Sequence, residues 1–262
     1  AFIKLATKKN NQIFAISRKK QKQKANLKWL RGGLDSDWSK YFKQVDILVH
    51  MASAGVQNKK KNKEVINTNV TNSLKLVKNA IKSGCKKFLI ISSSSEYGNY
   101  SFKLKKINKN SKRSPKTPYA KSKARFTNEI KKISKKNSCK FRVMRLFPVF
   151  GEGEGRKRLL PSLREAAKKG KNFKIQNPKE LRDFTDIKFV SKVLLDACKF
   201  KNKSKKFEIY HVSSNKPKTV SEFAKIYWKK FNAKGKLIFS NEKKIYSRHL
   251  SDISSTWKVK TK

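Results

Sequence analysis

Phe88-Leu-Ile-Ile-Ser-Ser-Ser-Ser-Glu-Tyr-Gly98 begins as an apolar run and breaks into hydroxyls. A strand that is apolar at every position is buried on both faces, as a parallel sheet covered by helices requires. Working outward, Gln12-Ile-Phe-Ala-Ile16, Val45-Asp-Ile-Leu-Val49 and Phe141-Arg-Val-Met-Arg-Leu146 read as strands of the same kind. Between them lie stretches with helical spacing. Glu64–Ser83 carries Val65, Val70, Leu74, Val77 and Ile81, with Gly84 as a C-cap, and Tyr119–Lys136 follows the same period. Residues 1–10 suit the tail of a helix. The alternation predicts a doubly wound α/β domain over residues 1–150. After Gly151 the pattern loosens into helices over Leu159–Lys169, Phe189–Phe200 and Val220–Phe231 and a strand over Phe207–Val212. That predicts a smaller mixed lobe over residues 151–262, with some elements returning to the first domain.

The chain has 262 residues, of which 37% are hydrophobic and 11% aromatic, enough for a packed core. No apolar run exceeds four residues, so no membrane span is expected. Lys and Arg number 68 against 17 Asp and Glu, a net charge of +51. The basic residues are spread from Lys4 to Lys262, without zinc-finger spacing or an aromatic-studded RNA-binding signature. That pattern describes a lysine-rich surface that sticks to anions at low salt, not a specific nucleic-acid binder. Cys85, Cys139 and Cys198 stand apart with no CxxC, which predicts free thiols in a reducing cytoplasm. His50, His211 and His249 are far apart in sequence, so no metal site is expected.

Chemistry concentrates at Tyr119-Ala-Lys-Ser-Lys123. A Tyr and a Lys four apart on a helix share a face. An ammonium beside a phenol favours the phenolate, and a phenol lowered from its free pKa of ~10 can give and take a proton near neutrality. Upstream, the Phe88 strand ends in hydroxyls at the carboxyl edge, where open α/β sheets bind ligands. Asp46-Ile-Leu-Val-His-Met-Ala-Ser53 is a second strand ending in small residues, which let a flat cofactor approach the backbone. The polar segment from Gly98 to Pro118, just before Tyr119, predicts an active-site rim. Tyr97, Phe150 and the four tryptophans read as packing residues, and His50 as a strand-end residue near the cofactor.

These residues resemble those of the NAD-dependent epimerase/dehydratase family, extended short-chain dehydrogenases/reductases that act on nucleotide sugars. The matching stretches are the strand ending at His50, Asn67-Thr-Asn-Val-Thr-Asn-Ser-Leu74, the serines before Tyr97-Gly98, Pro118-Tyr-Ala-Lys-Ser-Lys123 and Arg145-Leu-Phe-Pro-Val-Phe-Gly151. Leu160-Pro161, Leu181-Arg-Asp-Phe-Thr185 and Tyr210-His-Val-Ser213 continue the match. The resemblance implies a Rossmann-type fold, a nucleotide-sugar substrate and a homodimer. It makes Tyr119 the acid/base, Lys123 its partner and a contact to the nicotinamide ribose, and Ser93 the hydroxyl on the reacting oxygen, with Ser94 as the alternative. It places Met51, Ala52 and Ser53 along the cofactor, Asn69 beneath it and Phe147 near the nicotinamide. Arg182 would grip the substrate diphosphate.

Departures narrow the expectation. Relatives that dehydrate sugars carry an Asp-Glu pair where Ser94 and Ser95 stand, so 4,6-dehydration is not expected. Pro148 replaces a frequent Asn at a substrate contact and leaves the sugar open. Arg18 and Lys19 stand where NAD-binding relatives place an acidic residue, which suits the 2′-phosphate of NADP; alternatively they are two more surface charges. Resemblance places the glycine-rich phosphate loop just before Ala1, so the chain reads as a fragment expected to bind cofactor poorly by itself. The run Ser-Ser-Ser-Glu and Arg18 favour a 4-keto-sugar reductase using NADP or NAD. A 4-epimerase is the first alternative, and a noncatalytic nucleotide- or polyanion-binding relative the second.

Overall fold

The computed structural model describes residues 1–56, 62–98, 106–240 and 250–259. The chain opens with α1 (Phe2–Lys8), β1 (Ile13–Ser17), β2 (Leu27–Arg31), α2 (Ser39–Phe42) and β3 (Leu48–His50). Next come α3 (Asn62–Ile66), a π-helical turn over Asn67–Asn72, α4 (Ser73–Lys82), β4 (Lys87–Ser93) and a 3-10 turn over Ser94–Tyr97. They are followed by α5 (Pro118–Lys135), β5 (Lys140–Leu146), β6 (Val149–Phe150), α6 (Leu159–Lys168), β7 (Phe173–Ile175), β8 (Leu181–Arg182) and β9 (Thr185–Asp186). The remainder is α7 (Ile187–Ala197), β10 (Phe207–Val212), β11 (Lys218–Thr219), α8 (Val220–Lys230), β12 (Leu237–Phe239) and a 3-10 turn over Ile253–Ser255.

The main sheet is parallel throughout, in the order β10-β5-β4-β3. Its central strand is the one picked out by its unbroken apolar run. Phe88, Leu89 and Ile90 are completely buried. Because side chains alternate along a strand, they divide between two layers. Phe88 and Ile90 join Phe141 and Val143 against Leu76, Val77 and Ala80 of α4 and Phe126 and Ile130 of α5. Leu89 and Ile91 join Met144 against Val190, Val193 and Leu194 of α7. Phe88 and Phe141 stack with centroids 4.7 Å apart.

Three elements differ from the sequence expectation. β1 pairs in parallel with β2 in a sheet of its own, and the described strands form a four-stranded sheet and four two-stranded pairs, β1-β2, β11-β8, β12-β7 and β6-β9. β2 has no apolar run to announce it; Lys28 and Arg31 alternate outward while Leu27 and Leu30 are buried. The helix read over Glu64–Ser83 starts at Asn62 and widens into a π-turn between Asn67 and Asn72. β10, from the second half of the chain, inserts beside β5 in the main sheet. α6, β7, α8 and β12 gather around Leu163, Ile175, Val220, Ala224 and Trp228.

Two local features set the edge of the site. Gly98 has φ +52°, and a Cβ there would sit 1.9 Å from the Ser114 carbonyl oxygen, so only glycine lets the two backbones meet. The part of the Gly98–Pro118 rim over residues 99–105 lies outside the described residues. Its remainder is anchored, with Ile107 buried and bonded to the backbone of Leu250 and Asp252 at 2.8 Å each. No described helix is long and apolar enough to cross a membrane.

Candidate active site

The carboxyl ends of β3 and β4 lie side by side, and α5 packs against β4 and β5. α5 starts cleanly because Thr117 accepts the Ala120 amide at 3.1 Å and Pro118 occupies the first turn. Tyr119 and Lys123 both reach the end of β4. The Ser93 and Ser53 hydroxyls neighbour the Tyr119 phenol and favour its ionised form. The Lys123 ammonium donates to the Ile91 carbonyl at 2.9 Å. Ser93 also caps the following 3-10 turn, accepting the Ser95 amide at 3.2 Å and the Ser95 hydroxyl at 2.9 Å.

The electrostatics differ from the sequence expectation of a phenol lowered by its neighbouring ammonium. Burial pushes the Tyr119 phenol up, the Ser93 and Ser53 hydroxyls pull against it, and the charge of Glu96 adds to the rise. Burial also brings Lys123 down to about 8, with Glu96 opposing. Desolvation is the largest influence on both groups. The result is a phenol that keeps its proton and a lysine near its titration point.

Asn69 sits on the π-turn, a distortion that often marks functional sites. Its amide is fully used: Oδ1 accepts the Ala54 amide at 2.7 Å, and Nδ2 donates to Ala54 oxygen at 3.0 Å and to Ser122 Oγ at 2.9 Å. It therefore fastens the backbone beyond β3 to α5. Met51 and Ser53 are exposed on that backbone and Ala52 half-buried. His50, just before them, is buried against Phe126 with neither ring nitrogen bonded, and burial holds it neutral down to about 3. Phe147 is buried, its ring 5.1 Å from His211. Arg18 is exposed just beyond β1. Small side chains on a rigid backbone, with hydroxyls and an ammonium alongside, fit a flat ring bearing a hydroxylated sugar.

The residues expected on the substrate side divide. Ser94 is buried in the 3-10 turn. Pro148 lends its carbonyl to the Thr185 amide at 2.8 Å. Arg182 is held as a fork on Glu180, at 2.9 and 2.7 Å. Two charged residues near the phenol were not named as site residues from the sequence, although Glu96 ends the Ser-Ser-Ser-Glu run. Arg158, at the start of α6, projects positive charge toward Tyr119 while paired with Glu154 at 3.1 Å. Glu96, completely buried, acts on both Tyr119 and Lys123. In a chain with 68 basic residues nothing singles out one arginine. No group of three or more described His, Cys, Asp or Glu side chains is placed to hold a metal ion.

A family description, NAD dependent epimerase/dehydratase, matches residues 1–213. Among solved structures, MoeE5 in complex with UDP-glucuronic acid and NAD shares 18% identity at a TM-score of 0.85, covering 100% of this chain and 90% of that one. A UDP-N-acetylglucosamine 4-epimerase from Methanobrevibacter ruminantium M1, in complex with UDP-N-acetylmuramic acid, shares 21% identity at a TM-score of 0.83, covering 93% of this chain and 82% of that one. A UDP-glucose 4-epimerase from Thermotoga maritima with UDP-glucose shares 15% at 0.79, covering 96% and 85%. No curated protein matches the chain.

Proposed function

The chain belongs to the NAD dependent epimerase/dehydratase family, and from that premise we propose that it is an oxidoreductase acting on the sugar of a nucleotide-linked sugar, with 4-keto reduction as its reaction. The observation that supports the reading is the nearness of the Tyr119 phenol to the Ser93 and Ser53 hydroxyls at the carboxyl ends of β3 and β4, with Lys123 one helical turn along α5 and bonded to Ile91 of β4. A nicotinamide cofactor, when bound, supplies the hydride chemistry. Met51, Ala52, Ser53 and Lys123 would hold it, Asn69 would support the backbone under it, and Phe147 would back its ring pocket. Arg18 favours NADP, while the MoeE5 structure contains NAD.

In reduction, Ser93 donates to the carbonyl oxygen of the sugar and Tyr119 gives the same oxygen its proton. Burial keeps the Tyr119 phenol protonated at neutral pH, and the charge of Lys123 would ease the loss of that proton. The Lys123 ammonium stabilises the phenolate left behind, in a site of low dielectric where that attraction is strong. Arg182 and Arg158 supply positive charge for the substrate diphosphate. Ser94 and Ser95 place no carboxyl pair beside Ser93, so elimination of water has no acid and base there. A 4-epimerase is the second reading, favoured by the two epimerase neighbours. It needs the same residues, with the ketone turned over between two hydride steps.

The test is Tyr119→Phe, assayed by NADPH and NADH absorbance with a UDP-4-keto-6-deoxy sugar and by interconversion of UDP-glucose and UDP-galactose. The expected outcome is a kcat loss of about 10²–10⁴-fold with cofactor binding retained. Turnover at the wild-type rate in the variant refutes the assignment. Absence of turnover in both proteins, with nucleotide bound, supports a noncatalytic binder.

A further inference from the structure

Glu96 is completely buried, and four segments of chain converge on its carboxylate. Oε1 accepts from the Ser92 hydroxyl at the end of β4 and from the Thr127 hydroxyl of α5 at 2.9 Å. Oε2 accepts from Arg113 Nη1, in the segment before α5, at 2.8 Å and from Arg145 Nη2 of β5 at 3.1 Å. Arg145 continues to the Tyr97 hydroxyl at 2.5 Å, which lies 2.7 Å from His211 Nε2 of β10. A carboxylate buried this deeply costs several kcal/mol unless its acceptor sites are filled. Here they are filled from every side.

The location gives this arrangement a use. Glu96 lies on the 3-10 turn that Ser93 caps, and Ser92 precedes Ser93 directly. Thr127 follows Tyr119 and Lys123 at four-residue steps along one side of α5. The Thr127–Glu96–Ser92 tie therefore spans the two pieces of backbone that must hold Ser93 against the phenol. We propose that Glu96 is a positioning residue of the active site, which fastens the Ser93 hydroxyl turn to the Tyr119–Lys123 side of α5 and sets a fixed negative charge beneath both. The proposal rests on the reading of Tyr119 and Ser93 as the reacting pair.

The charged and titratable groups around Glu96 are Arg145 from β5, Arg113 before α5, Tyr97 on its own turn, His211 beyond Tyr97, and Tyr119 and Lys123 from α5. The two guanidiniums hold the Glu96 carboxyl below its ordinary range despite burial, so it stays ionised across neutral pH. Glu96→Gln keeps a carbonyl oxygen for Ser92 and Thr127 but removes the charge. Thr127→Val keeps the charge but cuts the tie to α5. The two changes act on the phenol with opposite sign.

The experiment is an ultraviolet titration of phenolate in the full chain, with the Tyr119 component isolated by subtracting the corresponding Tyr119→Phe protein. It needs no substrate, so a wrong reaction class leaves it intact, and the Tyr119→Phe turnover assay judges that class separately. Glu96→Gln is expected to move the Tyr119 component down by about half to one pH unit. Thr127→Val is expected to move it up by about half a unit, as Ser93 slackens from the phenol. A purely structural Glu96 would lower the melting temperature and leave the titration in place. A titration unmoved in the folded variants overturns the proposal. If Glu96→Gln does not fold, Thr127→Val decides alone, an upward shift supporting the proposal and no shift overturning it.

Discussion

Lys123→Met should make this protein more stable near neutral pH while removing its chemistry. Burial brings the lysine from 10.5 to about 8, so the folded state holds its charge at a cost of about 3 kcal/mol relative to the unfolded chain. Methionine fills similar volume without that cost. The change also strips the donor from the Ile91 carbonyl, worth about 1 kcal/mol. The net gain is about 2 kcal/mol at about pH 7. Between about 8 and 10.5 the unfolded wild type binds more protons than the folded one, so wild-type stability rises with pH there and the gap closes. At about pH 10 the two proteins should be nearly equal. Urea unfolding of both across this range gives the gap from midpoint and slope. A variant less stable than wild type at neutral pH, or a gap that does not narrow with pH, would refute the reasoning. A stabilising change at Lys123 is what a buried charge held for the proposed chemistry predicts.

Ser93→Ala should lower kcat by about 100-fold and Ser94→Ala only slightly, because Ser93 reaches the phenol and Ser94 is buried in its turn; steady-state kinetics separates them, and equal losses would reassign the hydroxyl. Acid should destabilise the protein through His50 and His211, both kept neutral down to about 3 while the unfolded chain protonates them near 6.5. Each contributes about 2 kcal/mol of lost stability by about pH 5, and His50→Phe should flatten the stability-versus-pH slope measured by urea unfolding. Phe88→Ala should cost about 3–5 kcal/mol, because its ring stacks on Phe141 in a layer with no exposure; calorimetry reads it as a fall in melting temperature. Thr219→Ala should cost about 1 kcal/mol, since Thr219 and Glu222 form a reciprocal capping box on α8; a circular-dichroism melt checks it.

Much of the architecture was legible along the chain. β4 and β5 carry unbroken buried runs over Phe88–Ile91 and Phe141–Met144, and α4, α5, α6, α7 and α8 lie within two residues or so of their periodic stretches, apart from the added α3 and π-turn before α4. β2 escaped notice because Lys28 and Arg31 interrupt its apolar positions, and burial of only every third residue imitates a loop. The widening at Asn67–Asn72 had no signal in periodicity, because a π-turn changes register without changing composition. The candidate site divides the same way. Tyr119 and Lys123 were named from their spacing and Ser93 from the family resemblance, whereas the weight of burial on the phenol appeared only with packing around it.

By itself, the sequence determined the buried strands β4 and β5 and the periodic helices α4 to α8, and that a phenol and an ammonium share one face of α5, since these follow from the repeat of the backbone. The tertiary structure alone decided that β10 enters the sheet beside β5, that Arg113, Thr127 and Arg145 meet on Glu96, and that Arg158 faces the phenol. The physical reason is separation along the chain. Periodicity is set within a few residues, but desolvation and charge pairing depend on groups tens to more than a hundred residues away that only folding brings to one place.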